Sequence, residues 1–271
     1  MKEYLSPAKI NIGLNIISKR EDGYHNIETI FYPIKLFDKL IFQDSNNFEI
    51  VCSDNSIPTD ERNLIYKARN VLSEFLHKEL NIRIELEKKI PVFAGLGGGS
   101  SNAATTLIAL NKIFDLKLKQ ELLFSLASKV GSDVPFFILN SPAYAEGRGE
   151  ILKPLPNFQL NYKVLLVIPD VKISTAWAYS NFKSSKKQIE LSLIQTEKDF
   201  EIYKNKIIND FEEIVFPVYP ELKEIKNKLL ELGASFALLS GSGSSIYGLF
   251  EQKFDVELVV KHFKNYRVYV C

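Results

Sequence analysis

Residues 91–110 read PVFAGLGGGSSNAATTLIAL. Gly95, Gly97, Gly98 and Gly99 flank a single Leu96, and helical periodicity follows at once in Ala103, Ala104, Leu107, Ile108 and Leu110. Glycine loses more conformational freedom on folding than any other residue, so such a run marks positive φ or close approach of the backbone to another group. A helix starting directly after it presents unpaired N–H groups and the positive end of a dipole, which suits an anion. A flexible turn is the plainer reading. It is disfavoured because turns rarely need so many glycines against Ser100, Ser101 and a well-formed helix. Two phosphate motifs fail on spacing. A Walker A loop needs GxxxxGK followed by Ser or Thr, and no lysine follows Gly99; a dinucleotide fingerprint needs a third Gly or Ala where Ser100 stands, and Asp115 downstream does not replace it.

Outward from this run, Ile82, Ile84 and Leu86 alternate as a strand, and Leu64, Ile65, Ala68, Val71, Leu72, Phe75 and Leu76 share one face of a helix over about 62–77. Further upstream Ile10, Ile12, Leu14 and Ile16 alternate as a half-buried strand. The turn signal Asp22-Gly23 separates it from IETIFYPI at 27–34, and DKLIFQ and NFEIVCS continue an antiparallel sheet. Downstream, Leu122, Leu123, Leu126, Ala127 and Val130 form another helix that stops near Gly131. Glycines and prolines cluster between 147 and 159, and YKVLLVIPD restarts a strand, which predicts an α+β protein of two domains, 1–154 and 155–271. The second holds helical patterns over about 174–182, 196–210 and 220–232, two short apolar runs around the Gly/Ser loop SGSGSS, a last helix, and the strand YRVYVC. No repeat or low-complexity segment interrupts it.

With 271 residues, 46% of them hydrophobic, the chain can build a real core. A net charge of +1 with both signs interspersed offers no footprint for nucleic acid or an anionic membrane, which points to small-molecule partners. Cys52 and Cys271 give neither a disulfide framework nor a zinc spacing, and this fits a reducing cytoplasm. The amino terminus lacks a secretory apolar core, and apolar runs such as VLLVI are strand-sized. Oligomeric state is not legible.

SPAKINIGLNI at 6–16, PVFAGLGGGSSNAA at 91–104 and LLSGSGSSIYGLF at 238–250 resemble, in order, the three motifs of the GHMP small-molecule kinases, whose phosphate loop has the form PxxxGLGSSAA. The extra glycines, DGYHNIET at 22–29 and GSDVPFF at 131–137 are similar to the branch whose acceptor is a cytidine diphosphate-linked methylerythritol, in the non-mevalonate isoprenoid pathway. The resemblance implies a ribosomal-protein-like amino-terminal domain, a ferredoxin-like carboxyl-terminal domain, and transfer of phosphate from ATP to a hydroxyl in a cleft between them. A noncatalytic RNA-binding module on the same fold is disfavoured by the retention of Lys9 and Asp133 and by the near-zero charge.

Carried over residue by residue, the resemblance implies ATP phosphates over Pro91, Val92, Phe93, Ala94, Gly95, Leu96, Gly97, Gly98, Gly99, Ser100 and Ser101, with a side chain at Gly98 expected to block their path. Asp133 matches the proposed general base. Read without the resemblance, it is equally an N-cap or turn aspartate. Lys9 would keep that aspartate ionised and favour a developing alkoxide, although a strand lysine is ordinarily a solvated-face residue. Asn11, two residues on, faces the same side and is a candidate for the acceptor hydroxyl region. Tyr24 and His25 would read a cytosine, with Tyr179 as a second stacking ring and Trp177 and Phe182 as its competitors. His77 and His262 read as surface residues. Loop 240–245 would pack on the phosphate loop. No residue cluster resembles a metal cage; Mg²⁺ would come with the nucleotide, with Ser101 or Asp133 as protein donors.

Overall fold

Alternation of residue character along the first strand separates two faces, and both turn out to be covered. The computed structural model describes all residues Met1–Cys271. Its first strands, β1 (Lys2–Lys19) and β2 (His25–Gln43), pair with each other across the turn at Gly23, whose φ is +82°. Ile10, Ile12 and Ile16 are fully buried, as the alternation predicts, but Lys9, Asn11 and Asn15 on the opposite face are buried too. The expectation of a half-buried strand is therefore corrected: β1 has an apolar buried face and a polar buried face.

The chain continues through β3 (Glu49–Cys52), α1 (Leu64–Leu76) and β4 (Arg83–Glu87) to the glycine run. Beyond it lie α2 (Gly98–Ile113), α3 (Gln120–Val130) and α4 (Val134–Leu139). The hairpin β5 (Ala143–Glu146) and β6 (Ile151–Pro154), then β7 (Tyr162–Ile168) and α5 (Thr175–Ser180), follow. The remaining elements are α6 (Glu197–Tyr203), α7 (Glu212–Val218), α8 (Pro220–Glu231), β8 (Phe236–Leu239), β9 (Ile246–Glu251), α9 (Val256–Val260) and β10 (Arg267–Val270).

Two compact units emerge, each discontinuous in sequence. One comprises Met1–Ala8, Lys35–Val92 and Gly97–Asn140; the other comprises Lys9–Ile34, Phe93–Leu96 and Ser141–Cys271. Within the first, Lys39–Gln43 of β2 pair antiparallel with β4, and β3 joins β4 in parallel. Asn63 starts α1 by accepting the Ile65 N–H on its side-chain oxygen, satisfying one orphan donor of the first turn. Within the second, Thr29–Phe31 of β2 pair with β5, which pairs with β6. Strands β7 to β10 form a separate antiparallel sheet in the order β10-β7-β9-β8, the 4-1-3-2 order of a ferredoxin-like layer. Leu165, Val167 and Ile246 of that sheet join Phe211, Leu222 and Leu229 in its core.

Where pattern and structure part, side-chain partners explain it. The helical pattern over 196–210 yields α6, opened by a capping box of Thr196 and Asp199, and one 3-10 turn over Lys204–Lys206. Farther along, Asn209 donates to the carbonyls of Leu239 and Gly241, and Asp210 accepts the N–H groups of Ile16 and Lys186, so these two residues serve other segments. The short helices α4 and α7 and the β5–β6 hairpin gave too little periodicity to read.

Tyr247 is fully buried, and its hydroxyl donates to the Asn11 carbonyl at 2.9 Å. Tyr247→Phe leaves that buried carbonyl short of a partner and should cost about 1–3 kcal/mol. Urea unfolding should show a lower midpoint with an unchanged slope; an unaltered midpoint contradicts this role.

Candidate active site

The glycines of the run serve different ends. At Gly95 φ is +73°, and a Cβ would stand 1.9 Å from the carbonyl oxygen of Ser240. Only glycine fits there. Loop 240–245 is bound to this stretch as expected: Ser240 Oγ donates to the Gly95 carbonyl at 3.0 Å, and the N–H groups of Ser244 and Ser245 donate to the carbonyls of Phe93 and Ala94, each at 3.2 Å. Pro91, Ala94 and Leu96 are buried, whereas Val92 and Phe93 are exposed. Gly97 takes a left-handed conformation as the N-cap of α2, whose first turn has neither a side-chain cap nor an acidic residue.

Gly98 corrects the expectation made for it. A Cβ there would meet Lys88 Nζ at 2.9 Å and Ile90 Cγ2 at 3.0 Å, so this glycine makes room for the protein's own interior. Gly99 is exposed, and its Cβ would touch only Leu64 Cδ1, at 3.7 Å. Packing against the protein's own atoms does not require a glycine at 99. Ser100 is partly exposed. Ser101 is fully buried, with its hydroxyl accepting from Ser6 Oγ at 2.7 Å and its N–H on the Gly97 carbonyl.

Lys9 is no solvated-face residue: it is 4% exposed. Its ammonium donates to Asn11 Oδ1 at 2.6 Å and to the Gly95 carbonyl at 3.1 Å, and it lies 5.1 Å from the centre of the Phe31 ring. Asn11 Nδ2 donates to Thr29 Oγ1, which donates to the Gly13 carbonyl; Asn15 Nδ2 donates to Glu28. A buried charge persists only with partners, and the polar face of β1 supplies them.

Asp133 occupies the N-cap position of α4, but its side chain makes no capping hydrogen bond there. The N-cap reading is thereby set aside, the turn reading is not, and the residue is partly exposed.

The expected aromatic group assembles with a different internal order. His25 and Tyr179 stack on each other, centroids 4.9 Å apart at 16°, with Phe182 edge-on to His25 and Phe211 edge-on to Tyr179. Tyr24 is 55% exposed and carries the Arg148 guanidinium 4.9 Å above its ring. Trp177 packs instead against Tyr219. Burial and the charge of Lys19 hold the His25 imidazole below its ordinary pKa of 6.5, favouring the neutral ring with one donor and one acceptor nitrogen. His77 and His262 are exposed, as expected.

Sequence reasoning missed Asp38, Lys88, Asn102 and Ser6, which are linked beneath the start of α2. The one available signal was the Asp38-Lys39 pair opening an apolar strand segment, an odd place for a carboxylate that is fully buried. Arg148 was missed because it sits in a glycine-rich turn that reads as a linker. No group of three or more His, Cys, Asp or Glu side chains is placed to hold a metal ion, and no helix is long and apolar enough to cross a membrane.

Comparison with known proteins identifies the family. Residues 63–141 match the GHMP kinases N terminal domain, and residues 197–267 the GHMP kinases C terminal domain. The 4-diphosphocytidyl-2-C-methyl-D-erythritol kinase of Chlorobium phaeobacteroides is 42% identical over 265 residues, 96% of this chain and 92% of that one. A crystal structure of 4-(cytidine 5'-diphospho)-2C-methyl-D-erythritol kinase superposes with a TM-score of 0.85 at 33% identity, over 99% of this chain and 98% of that one. The Methanococcus jannaschii mevalonate kinase shares the fold with a TM-score of 0.71 at 19% identity, over 100% and 97% of the two chains.

Two outcomes follow from the geometry. Gly99→Val should fold normally yet lose anion binding, whereas Gly98→Val should lower thermal stability through its clash with Ile90. Calorimetry with ATP and a melting curve separate the two; full ATP affinity in folded Gly99→Val removes the cradle. In an NMR titration His25 should protonate below pH 6.5, so its neutral form survives as pH falls through that value and is lost only lower down. Lys19→Gln should move the midpoint up. A wild-type midpoint at or above 6.5 contradicts the assigned cause.

Proposed function

The chain belongs to the GHMP kinase family, and from that premise we propose that it phosphorylates the 2-hydroxyl of 4-diphosphocytidyl-2-C-methyl-D-erythritol with ATP, a step of the non-mevalonate route to isoprenoid precursors. The observation that carries the reading is the buried ammonium of Lys9 on the Gly95 carbonyl, which joins a catalytic lysine to the glycine run in one hydrogen bond. Phosphoryl transfer asks a protein chiefly to position reactants and to stabilise charge. Both tasks have residues here.

ATP phosphates lie against the N–H groups at the start of α2, with Gly99 on the open side. Transfer is direct: the acceptor oxygen bonds to the γ-phosphorus, the bond to the β,γ-bridging oxygen breaks, the hydroxyl proton passes to Asp133, and ADP departs. Lys9 stabilises the alkoxide as it develops, and Asn11 holds the lysine in place. Cytosine is recognised by Tyr24, His25 and Tyr179, the neutral imidazole matching a base edge that both donates and accepts. Mg²⁺ fits this site as a companion of the nucleotide. Asp133 and the partly exposed Ser100, in place of the expected Ser101, whose hydroxyl is buried on Ser6, would be the protein residues to hold it, and it would supply neutralisation of phosphate charge. Mevalonate or homoserine as acceptor would leave the aromatic group without a ring to bind.

The test is kcat/KM for the cytidyl acceptor, mevalonate and homoserine with wild type and variants. Wild type should use only the first; equal or better use of either other compound refutes the acceptor. Asp133→Asn and Lys9→Met should each lower turnover by roughly 10² to 10⁴ with ATP binding retained. Near-normal turnover in either removes that residue from the chemistry. Tyr179→Ala should cost about tenfold to a hundredfold in kcat/KM for the acceptor and little for ATP.

A further inference from the structure

Directly behind the glycine run lies a buried ion pair that the phosphoryl-transfer reading does not use. The side chain of Lys88 is 6% exposed and that of Asp38 fully buried, with Lys88 Nζ 2.6 Å from Asp38 Oδ2 and also bonded to the Ile90 carbonyl. Asp38 Oδ1 accepts the N–H groups of Lys89 and Ile90 at 2.7 and 2.8 Å, and Oδ2 accepts Asn102 Nδ2 at 3.0 Å. Asn102 Nδ2 also donates to Ser6 Oγ at 3.0 Å, and Ser6 donates onward to Ser101 Oγ. One carboxylate thus organises the residues entering the glycine run and, through Asn102 and Ser6, the first turn of α2.

Stability alone is a weak reason for this arrangement, because well-packed apolar side chains of similar volume commonly replace a buried ion pair at no cost. Position suggests another. Gly98 is the residue whose missing Cβ admits Lys88 Nζ and Ile90, so the pair determines where the turn into α2 can lie. That turn carries no acidic residue and no side-chain cap, and its amides are the ones available to an anion.

We propose that Lys88 and Asp38 are positioning residues for nucleotide binding: they brace the turn at Gly98, and the Asn102–Ser6–Ser101 chain carries that brace into the first turn of α2. The inference rests on the reading of the glycine run as the ATP phosphate site. Both side chains are buried, so they act through the backbone they hold. Their effect is to keep successive amides aimed at one point, so that binding loses little entropy in ordering the loop.

The experiment pairs calorimetric titration of a nonhydrolysable ATP analogue with steady-state kinetics and melting curves. The double variant Lys88→Met/Asp38→Asn removes both charges but keeps an oxygen for the Lys89 and Ile90 amides. It should bind the analogue about tenfold or more weakly and raise the KM for ATP alike, with kcat at saturating ATP and the KM for the acceptor changed by less than about threefold. Ser6→Ala, which deletes one hydroxyl and leaves the ion pair whole, should act in the same direction by about threefold. Lys88→Arg, keeping the charge, should recover part of the affinity. Unchanged analogue binding in either folded variant overturns the brace, as does an equal loss in both substrates, the mark of general damage. Should the double variant fail to fold, the Ser6→Ala result decides. Wild type that binds no analogue refutes the nucleotide reading itself, and the brace with it.

Discussion

One backbone carbonyl, that of Gly95, holds the second compact unit's part of the site together. It accepts the Lys9 ammonium at 3.1 Å and the Ser240 hydroxyl at 3.0 Å, so a strand, the start of the glycine run and a distant loop meet at a single oxygen. A buried ammonium stripped of acceptors is far more costly than an exposed one. Lys9 donates to Asn11 Oδ1 at 2.6 Å as well, and its bond to the Gly95 carbonyl couples the charge on β1 to the backbone of the run. The absence of a side chain at Gly95 is what permits the approach, since its Cβ would overlap the Ser240 carbonyl.

The same economy runs through the rest of the glycine stretch. The chain leaves one unit and enters the other at Leu96-Gly97, and the glycines on either side of that point answer to different neighbours. Gly95 yields to the Ser240 carbonyl, Gly97 supplies the left-handed N-cap of α2, and Gly98 yields to Lys88 and Ile90. At Gly99 a Cβ would meet only Leu64 Cδ1, at 3.7 Å.

The polar face of β1 is held in the same way. Lys9, Asn11 and Asn15 are buried, and their hydrogen bonds run to one another, to Thr29 and Glu28 of β2, and to the carbonyls of Gly95 and Ile189. Satisfied polar networks in a low-dielectric interior hold side chains to one geometry. The aromatic set around His25 differs in kind. Its rings are half-buried or exposed, and burial and Lys19 lower the His25 pKa, which favours the neutral ring.

Much of this was legible in the amino-acid order. Periodicity located α1, α2, α3 and α8 to within a few residues, and the glycine run stood out by residue type, whereas Lys9, Asp133 and the Tyr24-His25 pair were singled out through the family resemblance. Those features are local, set by side-chain character and spacing along a few turns or strand residues. The tertiary structure decided which glycine serves which neighbour, that both faces of β1 are covered, that the α-helix in the 196–210 pattern stops at Tyr203, and that Asp38 and Lys88 sit beneath α2. Each of these depends on a partner far away in the chain: Ser240 is 145 residues from Gly95, Asn102 is 64 from Asp38, and Asp210 is 194 from Ile16. Hydrophobic pattern reports which side chains avoid water. It carries no record of which distant carbonyl or carboxylate will arrive to pair with the polar ones, and here those arrivals make the site.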